Sequence, residues 1–352
     1  MDPQFYLDLA AQGLRMPIGT DLVLHEHPDP EAVMRDGQRL GEVVEAAAAR
    51  YRTPLAMPLM DLRLEKSDLL GILGVSEFEV ETFHFTEAPT EEHLARMRNS
   101  MDAPFSRRGQ AHLDSIRHIA EETRLVPVGM AIGPFSLMTK LMADPITPIA
   151  MAGTGLTAQD DAGILMAERS LALASLALER SLAAQIKAGA RAMLICEPAA
   201  NVVYLSPKQI EAGSGIFERF VMQADLRMSA QLKAAGVDLI FHDCGELTDT
   251  MVRAFAERLD PVILSLGSSR KLWEDAALVP KHIVLYGNLP TKSFYSDSAM
   301  PLARVAELAR ELVARMQAAG HPHILGSECD VLHVPDAAAA IRQKVDAMLA
   351  VG

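Results

Sequence analysis

Residues 192–245 read AMLICEPAANVVYLSPKQIEAGSGIFERFVMQADLRMSAQLKAAGVDLIFHDCG. The segment opens on Ala192–Cys196, an apolar run of strand length such as a buried parallel strand carries. A helical pattern then begins at Pro207, a residue favoured in the first turn, and runs to Ala235. Gly236 stands just past that pattern, where a left-handed C-cap belongs. Val237–His242 is a second short β-rich run. Strand, crossover helix and strand make one parallel unit. The same rhythm recurs outward in both directions. Further strands are predicted at Leu55–Met60, Leu125–Ala131, Val262–Leu266, His282–Tyr286 and His323–Gly326, with an eighth at either Thr20–His25 or Phe78–Phe85. Helices are predicted over Pro28–Ala49, Ala158–Ala188, Glu246–Arg258, Pro301–Ala319 and Asp336–Leu349, with Gly320 as a second C-cap glycine. The pattern predicts an α/β fold, a (β/α)8 TIM barrel with an N-terminal helical extension. Residues 1–352 are expected to form one barrel domain with 1–53 as the extension. A doubly wound open sheet is the alternative, but no G-x-G-x-x-G follows a first strand.

Composition agrees with a large core. Of 352 residues, 49% are hydrophobic and 22% charged, which excludes a disordered chain. Mean hydropathy is +0.12, yet no apolar run approaches the roughly 20 residues that span a bilayer. A net charge of −13 argues against nucleic acid or an anionic membrane surface as partner, since both reward basic patches. The N-terminus lacks the basic start and apolar run of a secretory signal. Three cysteines do not make a disulfide framework, and a reducing, cytoplasmic setting is expected.

In a barrel, chemistry gathers at the C-terminal ends of the strands, and all three cysteines fall there in this reading. His242-x-Cys244 is the sharpest feature, because residues two apart in an extended segment project to the same side. Cys329 ends a later strand. One imidazole and two thiolates suit Zn2+ with one position open, the pattern of a catalytic rather than a closed structural site. Cys196 reads instead as a small core hydrophobe. Glu197, beside it, is a candidate fourth ligand or proton carrier, or else a loop carboxylate. Asn288 is a candidate substrate contact, and Asn201 with Tyr204 can cover the pocket. The 19 methionines read as pliable core filling.

Phe241-His242-Asp243-Cys244-Gly245, then Leu285-Tyr286-Gly287-Asn288-Leu289, then Ile324-Leu325-Gly326-Ser327-Glu328-Cys329 resemble the uroporphyrinogen decarboxylase superfamily. More specifically they resemble its cobalamin-dependent methyltransferase branch, which includes the methylcobalamin:coenzyme M enzymes. Gly133-Pro134-Phe135 and the run from Leu205-Ser206-Pro207 extend the resemblance, which covers roughly residues 125–350. It implies the barrel fold, with His242, Cys244 and Cys329 as zinc ligands. It also implies methylcobalamin or a corrinoid protein as cosubstrate, with a small thiol or tetrahydrofolate as methyl acceptor or donor. Asp61 and Glu65 resemble a family segment lining the mouth. The decarboxylase side of the superfamily carries an Arg-rich N-terminal segment, and Arg15-Met16-Pro17-Ile18-Gly19-Thr20-Asp21 lacks it. Porphyrinogen decarboxylation is therefore the second expectation, and a non-catalytic metal- or corrinoid-binding barrel the third.

Two thiolates and a neutral imidazole cancel the charge of Zn2+. A thiol bound at the open position would be held as thiolate and still keep nucleophilic electron density. This donor set favours alkyl transfer over hydrolysis.

Overall fold

The computed structural model describes residues 2–351. Seven parallel strands run in chain order: β1 (Leu55–Ala56), β2 (Val126–Ile132), β3 (Ala192–Cys196), β4 (Asp238–Asp243), β5 (Ile263–Leu266), β6 (Val284–Leu289) and β7 (His323–Ser327). Each pairs with the next, so every connection is a crossover through the helical layer. β2 is buried along its whole length, as a strand covered by helices on one side and a packed bore on the other must be. The 26-residue helix Ala162–Lys187 returns the chain from β2 to β3, and Leu302–Ala319 returns it from β6 to β7. Gly320 closes the latter at φ +59, and Gly236 ends the β3–β4 crossover at φ +69. Both conformations are costly for any residue with a Cβ.

Neither segment proposed for the eighth strand is one. Thr20–Leu24 is a helix and residues 77–79 are a single 3-10 turn, with Phe85 making one isolated bridge to Met142. The residues that lie along β7 are Arg15–Ile18, just before the first of those segments. Arg15 bridges Leu325 and Ile18 bridges Asp330, both in parallel sense. Met16 N–H donates to Leu325 O at 3.0 Å, Val331 N–H to Ile18 O at 2.7 Å, and Ile18 N–H to Ser327 Oγ at 3.0 Å. On the other side Thr20 Oγ1 donates to Met57 O just past β1, at 2.7 Å. Alternation was too brief in this stretch to register as a strand. Within the segment expected as an extension, residues 15–20 therefore help to close the barrel.

β1 is two residues long rather than the six expected, and that leaves the β2 edge short of partners. Side chains replace the missing strand. Gln185 accepts from Met130 N–H at 2.8 Å and donates to Met130 O at 2.9 Å. Glu65 accepts from Ile132 N–H at 3.5 Å and from Ser181 Oγ at 2.8 Å. Buried backbone groups must find such partners. No helix among the described residues is long and apolar enough to cross a membrane.

The Glu65 carboxyl is buried, and burial pushes it up to about 7 from an ordinary 4.5, against the opposing hydrogen bond from Ser181. A raised acid favours the fold fully at low pH and loses that contribution as pH rises through the folded value. Glu65→Gln should therefore gain stability relative to the wild type between about pH 4.5 and 7, by about 3 kcal/mol in all, and hold it above. Urea unfolding across that range measures it, and a difference independent of pH would show Glu65 to be solvated.

Candidate metal centre

Side chains on β4 alternate between bore and helical layer. Phe241 packs on Phe255 of the following helical segment, with ring centroids 4.8 Å apart, so His242 faces the bore. It is 1% exposed. Cys244 continues the same face one turn of the pleat beyond, and Cys329 arrives from the end of β7. His242, Cys244 and Cys329 each bring a ligand atom within 4.8 Å of the others. The His242 Nδ1 pairs with Ser265 Oγ on neighbouring β5 at 2.8 Å, while the buried Nε2 has no hydrogen-bond partner. An orphaned imidazole nitrogen beside two sulfurs fits a soft-to-borderline cation, and the Ser265 contact fixes the ring in the orientation such ligation needs.

The two sulfurs do not ionise alike. A hydrogen bond from Cys329 pulls Cys244 down to about 3, against the opposing effect of burial and with help from His242. Cys329, which donates that bond, is pushed well above the ordinary thiol range. The pair thus shares one proton. Burial works against the charge of Lys292, yet Cys244, Cys329 and Glu328 together raise its pKa. Cys196 lies in register with His242, is fully buried, and is held as a neutral thiol by burial first and the Cys244 charge second.

The other expected site residues sit differently. Glu197 donates its backbone N–H to His242 O at 2.8 Å, but its carboxylate accepts from Ser136 N–H at 2.5 Å. Its second oxygen is buried without a partner. Burial raises Glu197 to about 8; burial also raises the carboxyls of Asp225, with repulsion from Glu197 and Asp243, and of Asp243, with repulsion from Cys244 and then Glu197. Asn288 uses its amide to donate to Gly267 O at 2.8 Å and Arg270 O at 2.9 Å, so it holds the turn after β5. Asn201 is likewise taken up by Pro198 O and Val203 N–H. Tyr204 stands edge-on to Phe135, centroids 6.2 Å apart. Asp61 pairs with Arg63 and Arg108 at 2.9 and 2.8 Å and lines a cleft of about 350 Å³ that none of the three metal-type ligands enters. Sequence reasoning passed over Ser265, Lys292 and Glu328. Only for Glu328 was there a local signal, its place next to Cys329.

The profile described as uroporphyrinogen decarboxylase (URO-D) matches residues 32–347. Among solved structures, a methyltransferase from Methanosarcina mazei superposes with a TM-score of 0.63 at 15% identity, covering 98% of both chains. At that identity the likeness is one of fold. No curated protein sequence matches the chain.

The ionisation pattern is measurable without metal. Thiolate absorbance at 240 nm should report about one thiolate per metal-free chain between roughly pH 5 and 8. Cys329→Ala removes the bond that holds Cys244 down, so the signal should then titrate in at a higher pH. Absence of thiolate at pH 6 in the wild type would show that the sulfurs do not meet.

Proposed function

The chain belongs to the uroporphyrinogen decarboxylase family, and we propose that within it the protein is a zinc-dependent methyltransferase. The methyl group passes between a corrinoid, free or carried on a partner protein, and a small acceptor or donor such as a thiol or tetrahydrofolate. One observation supports this above the rest: an orphaned His242 Nε2 beside two cysteine sulfurs at the end of the bore. His242, Cys244 and Cys329 would hold the metal and leave one position open. Zinc bound there supplies a Lewis acid that keeps a thiol ionised at neutral pH.

The residues around it have definable tasks. Ser265 keeps the His242 ring turned with Nε2 toward the sulfurs. With Cys329 holding the Cys244 pKa low, the proton on Cys329 is the one that has to leave when a cation arrives. Lys292 places a positive charge against this anionic donor set, which lowers the cost of bringing a third sulfur into it. The fully buried position of His242 keeps bulk water from one side of the centre. The likeness of fold to a methyltransferase fits this assignment. Decarboxylation of a tetrapyrrole needs no metal-binding trio, and nothing in the trio's geometry favours it.

Metal analysis by plasma mass spectrometry should find about one zinc per chain in the wild type, lost in Cys244→Ala and Cys329→Ala while circular dichroism stays unchanged. With methylcobalamin and a panel of thiols, loss of the methyl–cobalt absorbance should require the zinc-loaded wild type. A wild type that remains metal-free when zinc is supplied would overturn the assignment.

A further inference from the structure

Glu328 is 5% exposed, although it is an acidic residue at the mouth of the bore. Its carboxylate accepts from Ser268 Oγ at 2.5 Å and from Ser268 N–H at 3.4 Å, both on the turn after β5. The other oxygen accepts from Lys292 N–H at 3.1 Å, on the turn after β6. Its own N–H donates to Leu289 O at the end of β6, at 2.8 Å. One carboxylate therefore ties together the turns that follow three consecutive strands, β5, β6 and β7.

Each of those turns bears on a sulfur. Cys329 is the next residue in the chain. The turn after β5 presses on Cys244: a side chain at Gly267 would come within 2.6 Å of Cys244 O, and Ser269 Oγ donates to Gly245 O at 3.2 Å. The turn after β6 carries Lys292, near enough to both sulfurs for Cys244 and Cys329 to raise its pKa against burial. β4 and β7 are not neighbours in the sheet, so no strand pairing sets the distance between Cys244 and Cys329.

We propose that Glu328 is a positioning residue of the metal centre. By joining the turns after β5, β6 and β7 it holds the two sulfurs at ligating separation and places the Lys292 ammonium beside them. The metal role of the three side chains is the reading on which this rests. Charge-assisted hydrogen bonds to backbone N–H groups are strong and directional, and outer-sphere groups of this kind typically change metal affinity by about 10- to 100-fold when removed.

Glu328→Ala and Glu328→Gln are compared with the wild type by Co2+ titration, Zn2+ competition and amide hydrogen exchange on the metal-free proteins. Expected in Glu328→Ala are a loss of metal affinity of about 10-fold or more, a weakened thiolate-to-cobalt charge-transfer band, and loss of exchange protection at Ser268 and Lys292. Glu328→Gln keeps an acceptor for Lys292 N–H and should fall between the two; it also serves if the alanine variant fails to fold. Wild-type affinity and an unchanged cobalt spectrum in the variants, whatever their melting temperatures, would overturn the proposal. If the wild type takes up neither metal, the functional reading fails by itself. Amide exchange then decides the clamp, and retained protection at Ser268 and Lys292 overturns it.

Discussion

Closure of the sheet is the constraint on which the rest depends. Three strand spacings separate β4 from β7, roughly 14 Å across a flat sheet. The candidate ligand atoms of His242, Cys244 and Cys329, at the ends of those strands, lie within 4.8 Å of one another. Only a sheet curled into a bore brings them there. Arg15–Ile18 helps to hold that curl by bonding to β7, and Thr20 ties the following residue pair to the end of β1. Tyr286 Oη, buried inside the wall, donates to Met16 O at 2.9 Å and fastens the segment from below.

Closure also forces charge into places where water cannot follow. At the mouth the answer is to share: one proton serves two sulfurs, and one carboxylate serves three turns. Behind β3 and β4, on the side facing the helices, Glu197, Asp225 and Asp243 have no cation among their hydrogen-bond partners in the described residues, and their carboxyls are pushed toward the neutral form. Burying an isolated carboxylate is so costly that the group takes up a proton instead. At the β2 edge the same economy of partners recurs, with Gln185 and Glu65 side chains bonding to the backbone that β1 is too short to reach.

Much of the barrel was legible in the order of the residues. Ala192–Cys196 is a strand with the expected bounds, and β2, β4, β5 and β7 match their predicted runs to within one residue at each end, whereas β6 starts two residues later than expected and runs three residues further, to Leu289. Short apolar runs followed by long amphipathic ones leave few alternatives, because a parallel strand needs a crossover and a crossover needs a helix. The helices broke where small or special residues intervene: Pro207–Ala235 divides around Gly213 and Gly215, both at positive φ. The closing segment escaped notice because Arg15–Ile18 makes only isolated bridges. Its partners lie more than 300 residues away in the chain, and no local pattern encodes that pairing.

By itself, then, the sequence determined the alternation of strand and helix, and with it a parallel sheet whose C-terminal ends carry His242, Cys244 and Cys329. Period-two alternation suffices to put His242 and Cys244 on one face, since that is a property of a single extended segment. The tertiary structure alone decided that Cys329 meets them and that Ser265 orients the imidazole. It alone turned the Glu197 carboxylate toward the 133–136 turn, and took up Asn288 and Asn201 in holding loops. Those outcomes depend on the curvature of the sheet and on competition among buried groups for few hydrogen-bond partners, and both are settled only when distant strands come together.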